Sequence, residues 1–226
     1  MIIGIMALPL PEVFAGKPTA LPFSKNESIT YAIKKMGVKA GEASLVFGGE
    51  TEVQGQRAYL INFRASAFNF LDEEKIFLDT QNFLPIRVER NVVWGKKEKI
   101  TEQYDQKKYE VRIVKTARGK TTEQVIKKDK PMENLYGFIY RYRKEGKFTA
   151  GDTLQMNLPT KEVTLKLVKK DKMKLDGKEQ EIYFMESDPA QYKVWFDASD
   201  KKVPLKIDGA VGFGSTSMVM REYKSH

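Results

Sequence analysis

The chain has no cysteine and a single histidine, His226, its last residue. Without cysteine there is no disulfide, no thiolate nucleophile and no cysteine-ligated zinc or iron–sulfur site. With one terminal imidazole, histidine-based metal sites and serine–histidine relays have nothing to be built from. These two absences exclude more enzyme classes than any motif in the chain supports, so no cofactor, no metal and no enzymatic activity are expected. Long apolar runs are also missing. Residues 1–15, MIIGIMALPLPEVFA, are apolar apart from Glu12, but the run is broken by Pro9 and Pro11 and is too short to cross a bilayer. No later run is longer, and a soluble, non-transmembrane mature protein is expected.

What is present points first to export. Val13-Phe14-Ala15 before Gly16 puts small residues where a signal peptidase reads, which marks residues 1–15 as the remnant of a secretory signal lacking its basic n-region. Residues 16–26, with Pro18 and Pro22, then form an extended lead-in, and 27–226 a single domain. The chain's 226 residues and 41% hydrophobic content suffice to bury a core.

From Glu27 onward the dominant pattern is period-two alternation, the mark of half-buried strands. Ile29, Tyr31 and Ile33 alternate first, then Ala43, Leu45 and Phe47, closed by Gly48-Gly49. Tyr59, Ile61, Phe63, Ala65 and Ala67 form the cleanest case. Phe68 to Glu74 reads as a connection. Strands follow around 99–104, 108–115 and 121–127, then 153–158, and Asp176-Gly177 is a tight-hairpin signal. One unit occurs twice. Ile76 to Glu89 and, within Tyr192 to Tyr223, its later copy each run from an apolar strand through an aspartate (Asp79, Asp197) and a polar turn to a proline (Pro85, Pro204) that restarts alternation. Only 131–143 departs from the pattern. Leu135, Phe138, Ile139 and Tyr142 lie at helical spacing, with Asp129 as cap and Pro131 in the first turn, predicting one short helix that packs against the sheet. The fold class is mainly β: roughly ten to twelve strands in a large antiparallel meander, which accumulated twist must curl into a half-barrel.

Several landmarks stand in the order found in a known family. Glu27 to Leu45 (ESITYAIKKMGVKAGEASL), Asn134-Leu135-Tyr136 with Arg141, Gly151-Asp152, and Val194-Trp195-Phe196 through Val203-Pro204-Leu205-Lys206-Ile207 resemble the bacterial domain of unknown function 3108 family over about 27–223. Glu133 departs from it, standing where a serine is expected. The resemblance implies an exported envelope protein with a half-barrel sheet, in the periplasm or cell envelope of a Gram-negative bacterium, and brings no established activity. More loosely, the strand–Asp–turn–Pro unit is similar to lipoprotein carriers of the LolA and LolB type, half-barrels that shield acyl chains.

Charge is unevenly spread. Residues 107–147 carry thirteen basic and five acidic side chains, eight of the chain's net nine positive charges. The simpler meaning is edge protection of a β-sheet. The functional one is contact with an anionic envelope surface through Lys127, Lys128, Lys130, Arg141, Arg143 and Lys144. Nucleic acid is not an expected partner, since no nucleic-acid-binding fold is recognisable. Gly212-Phe213-Gly214-Ser215 lacks the strand-before, helix-after context of a phosphate loop. Asp79 and Asp197 read as turn stabilisers that accept backbone N–H groups, not as an acid–base pair.

Three functions follow. A hydrophobic or lipid-like ligand is expected on the concave face, with Tyr59, Ile61, Phe63, Ile86, Val88, Trp195 and Ile207 as candidate contacts. Alternatively that face is a closed core, and the protein is an envelope assembly or scaffold factor acting through protein or anionic polysaccharide. A carboxylate-based enzyme acting on polysaccharide comes third, and needs two carboxylates facing each other about 5 to 9 Å apart.

Overall fold

The computed structural model describes residues 20–212 and 215–225; the signal-like stretch 1–15, most of the lead-in, Phe213-Gly214 and His226 lie outside them. Fourteen strands follow one another: β1 (Glu27–Lys35), β2 (Val38–Val53), β3 (Gln56–Ala67), β4 (Phe70–Asp79), β5 (Pro85–Trp94), β6 (Lys96–Asp105), β7 (Glu110–Ala117), β8 (Lys120–Lys127), β9 (Thr153–Leu158), β10 (Lys161–Leu175), β11 (Lys178–Asp188), β12 (Lys193–Asp197), β13 (Pro204–Asp208) and β14 (Thr216–Lys224). One helix, α1 (Leu135–Glu145), stands between β8 and β9. All strands pair antiparallel in a single unclosed sheet of order β8-β7-β6-β5-β4-β3-β2-β1-β14-β13-β12-β11-β10-β9. Only the β1–β14 pair joins strands distant in sequence, so the sheet is two meanders sharing one seam.

The strand count exceeds ten to twelve, and two strands run longer than their alternation suggests. Phe68 to Glu74 is not a connection: Phe70, Asp72 and Glu74 continue the inward parity of Ile76 and Leu78, and β4 starts at Phe70. Nor does Gly48-Gly49 end β2. The register slips one residue between Phe47 and Gly49, a bulge that Gly49 accommodates at φ +82°, and pairing continues to Val53.

The two strand–Asp–turn–Pro units form as expected. Asp79 Oδ1 accepts the amides of Gln81 and Asn82 at 2.9 and 3.1 Å. Asp197 Oδ1 accepts Val203 N and the Ser199 hydroxyl, each at 2.9 Å. Asp105 repeats the device without a proline, accepting Lys107 N and Lys108 N. Asp176 and Gly177, both at positive φ, make the two-residue β10–β11 hairpin.

The helix begins at Leu135, four residues later than Pro131. Asn134, not Asp129, is its cap, accepting the amides of Tyr136 and Gly137 through Oδ1. The preceding residues are occupied otherwise. Glu133 N donates to Asn157 O at 2.7 Å, and Asn157 returns its amide to Glu133 Oε2 and its side chain to the Lys130 and Pro131 carbonyls. The chain leaving edge strand β8 is thereby clipped to the opposite edge, β9, which holds the sheet curled although no ladder closes it. Glu133, out of place against the family pattern, is one half of that clip.

Candidate functional site

Strand parity decides which side chains face inward. Leu45, Phe63, Glu74 and Arg90 are successive cross-strand partners from β2 to β5, as are Phe47, Ile61, Ile76 and Val88. Helix α1 lies on this face. Gly137 makes that possible, since a Cβ there would stand 2.9 Å from Leu78 Cδ2. The Tyr136 ring stacks on Phe63 with centroids 4.2 Å apart, and Tyr140 stacks on Phe47 at 5.5 Å. Phe23, in the described part of the lead-in, meets both Phe47 and Tyr140 edge-on. The aromatic face of α1 therefore occupies the space above the residues expected to hold a ligand.

Of those seven residues, Ile61, Phe63, Ile86, Val88 and Ile207 are buried core, and Tyr59 is half-buried against Phe47 and Phe83. Trp195 is a correction. Its register partner is Lys206, opposite in parity to the inward Val194–Ile207 pair, so it faces outward, stacks on Phe184 at 4.9 Å and carries Lys206 Nζ 4.0 Å above its ring.

The six basic residues are all engaged within the chain. Lys127 pairs with Glu110, Lys130 and Lys128 with Glu162, Arg141 with Glu133, and Lys144 with Glu145 and the Gln81 carbonyl. Arg143 has no exposed side-chain surface and leaves the candidate surface altogether.

The inward face also holds a polar group that sequence reasoning missed. Asp72 and Glu74 from β4 both meet Arg90 of β5: Asp72 Oδ1 accepts Arg90 Nε at 2.7 Å, and Glu74 Oε1 stands 3.2 Å from the same nitrogen. Burial pushes the Glu74 carboxyl up to about 7, against the pull of Arg90 and of the Asn134 side chain. Glu102 of β6, the register partner of Val88, is also raised by burial and accepts the Tyr104 hydroxyl. The available signal was a charged residue at the apolar parity of three neighbouring strands. Chemically the group is a shared ion network: Asp72 and Glu74 sit two residues apart on one strand, 2% and 9% exposed, around one guanidinium. They do not face each other across a cleft, as glycoside hydrolysis requires. Among the described residues, no cluster of metal-ligating side chains is present.

One cavity of about 330 Å³ opens between the last turn of α1 and β9. Phe138, Tyr142 and Leu154 form its apolar wall, with Arg141, Lys147, Glu145 and Asp152 beside them, and Arg141 Nε is buried without a hydrogen-bond partner. No described helix is long and apolar enough to cross a membrane.

A family model described as "Protein of unknown function (DUF3108)" matches residues 28–221. No curated protein and no solved structure matches the chain, so the looser likeness to LolA- and LolB-type carriers is not confirmed.

Proposed function

The chain belongs to the DUF3108 family, and from that premise we propose that it is a non-enzymatic, exported cell-envelope protein, an assembly or scaffold factor that works through its outer surface. The observation that carries this reading is the Phe63–Tyr136 stack, 4.2 Å between centroids, in the place a concave-face ligand would take. A half-barrel that shields an acyl chain needs that space, and here α1 fills it with side chains of the same chain. The apolar stretch before Gly16 supports export to the periplasm or envelope.

Native mass spectrometry of the protein purified from its own envelope tests the proposal. The expected result is the bare chain mass with a retained protein or polysaccharide partner. A co-purifying acyl lipid would overturn it.

A second reading has its own support in the cavity of about 330 Å³, within the size range of small-molecule sites. Its apolar wall suits a small hydrophobic molecule, and the mixed charges of Arg141, Glu145, Lys147 and Asp152 suit a polar end on it. In the same spectra such a ligand gives a small adduct that Leu154→Trp removes.

A further inference from the structure

In an antiparallel meander every second turn falls at the same end of the sheet. In the meander β1–β8 the β1–β2, β3–β4, β5–β6 and β7–β8 turns, centred on 36–37, 68–69, 95 and 118–119, therefore form one rim, and the turns at 54–55, 80–84 and 106–109 form the other. The two rims differ sharply. Met36 is 95% exposed, Val38 71%, Phe68 97% and Trp94 57%, and these are four of the five large hydrophobics exposed among the described residues. All four stand at the first rim. The opposite turns place Gln54, Gln81, Asn82 and Lys107 at comparable positions. Turn formation alone thus does not call for apolar tips, and a phenylalanine 97% exposed contributes nothing to the core.

Charge at these four turns has one sign, while Asp188 and Asp208 close β11 and β13 at the same end of the second meander. Segments 34–40, 67–70, 94–97 and 117–120 contain Lys34, Lys35, Lys39, Lys96, Lys97, Arg118 and Lys120, and no acidic residue. Lys39 and Lys96 pair with Glu42 and Glu98 just behind the turns, which leaves the basic surface at the tips. Between two of the tips lies a shallow hollow of about 480 Å³ lined by Phe68, Phe70, Leu71 and Val93.

We propose that this rim docks on an anionic lipid bilayer, with Met36, Val38, Phe68 and Trp94 entering the interfacial layer and the surrounding lysines and Arg118 on the headgroups. Apolar tips gain by leaving water, and tryptophan favours the headgroup level. Lysine and arginine near an anionic leaflet add attraction, on the order of fivefold in affinity per residue. The sheet would stand end-on to the membrane, with the ion-paired opposite rim and the α1–β9 cavity directed away from it. The inference rests on the scaffold reading and names the surface on which such a factor works.

The test is co-sedimentation of the chain with vesicles of mixed phosphatidylglycerol and phosphatidylcholine, set against phosphatidylcholine alone. The intact chain is expected to bind the anionic vesicles, weakening with added salt. Met36→Ser/Phe68→Ser should reduce binding more than tenfold, and Lys97→Glu/Arg118→Glu likewise. Lys107→Glu/Lys108→Glu, on the other rim, should leave it unchanged. Because Met36 and Phe68 are almost wholly exposed, the thermal midpoint should not move, which separates lost docking from lost folding. No binding to anionic vesicles, or equal loss from the opposite rim, overturns the proposal. So does a serine variant whose only change is a smaller mass in light scattering, since the rim then joins two copies of the chain. None of these outcomes alters the mass spectrum that tests the filled interior, so the two readings fail separately.

Discussion

Arg143 and Glu27 form a two-pronged ion pair with no exposed side-chain surface on either partner, Nη1 to Oε1 at 2.6 Å and Nη2 to Oε2 at 2.8 Å. Arg143 comes from the last turn of α1, where a cation suits the helix dipole, and Glu27 opens β1. The pair is also tied outward. Arg143 Nε and Nη2 donate to the Lys201 carbonyl, and the Tyr223 hydroxyl donates to Glu27 Oε2. The ion pair thus fixes the helix end to β1 and to the turn after β12 through Arg143, and to β14 through Glu27, across the seam of the sheet.

Arg143→Met should lower stability by about 3–5 kcal/mol, since it leaves a buried carboxylate without its counter-charge. Glu27→Leu/Arg143→Met removes both charges and should recover most of that loss. Urea titrations of the two variants measure the difference. A double variant no more stable than the single one would place the cost in the stacking of the guanidinium over Phe23 and Tyr140 rather than in the ion pair.

Glu74 should make stability fall as pH rises. Its folded-state carboxyl is raised by burial to about 7, above the ordinary 4.5, so the folded chain holds a proton that the unfolded chain releases. The contribution is complete below about pH 4.5 and is lost through about pH 7, for a total on the order of 3 kcal/mol at about 1.4 per pH unit. Glu74→Gln cannot ionise, so its stability relative to the parent should be greater at pH 8 than at pH 5. Denaturant midpoints of both proteins at the two pH values check this, and equal differences would mean that Glu74 titrates as an ordinary carboxylate.

Gly209, just after β13, sits at φ +80°, and a Cβ there would stand 2.0 Å from the Gln191 carbonyl oxygen. Gly209→Ala adds backbone strain to a clash with main chain that has no rotamer to yield. A loss larger than the ~0.4–1 kcal/mol that a compatible Gly→Ala change gains is expected in thermal unfolding. Gly212→Ala, with open space around it and no positive φ, is the matched control and should be near neutral.

The strand pattern was legible because alternation reports one buried face, and the roles of Asp79 and Asp197 were legible because an aspartate before a polar turn has one obvious use. The polar interior was not, because Asp72 and Glu74 read as connection only when strand polarity is taken as a rule. It fails where a guanidinium on the adjacent strand, at Arg90, supplies the partner, and register is invisible from one strand's sequence. The outward face of Trp195 was missed for a related reason. The register slips between Trp195 and Phe196, and apolar residues 194–196 run without alternation, so parity alone assigns neither face. The helix start was misplaced because Pro131 suits a first turn, while the residues after it bond across the open sheet to Asn157, a partner 26 residues on.

Tyr136→Ala should convert the filled interior into a binding cavity. The ring it removes is fully buried against Phe63, and truncation of a buried aromatic costs about 3–5 kcal/mol, part of it for space the neighbours do not refill. Such apolar space stays dry and accepts small apolar molecules. Benzene or indole should therefore raise the thermal midpoint of Tyr136→Ala and leave that of the parent unchanged. Tyr136→Phe, which keeps the ring and loses only the long 3.5 Å contact to the Ala210 carbonyl, should behave as the parent. If the parent were stabilised as much as the alanine variant, the concave face would already hold room for a ligand, and the carrier reading would replace the scaffold one. The comparison tests the interior on the purified chain alone, without any envelope component, because it asks only whether α1 occupies the space that a half-barrel carrier keeps open.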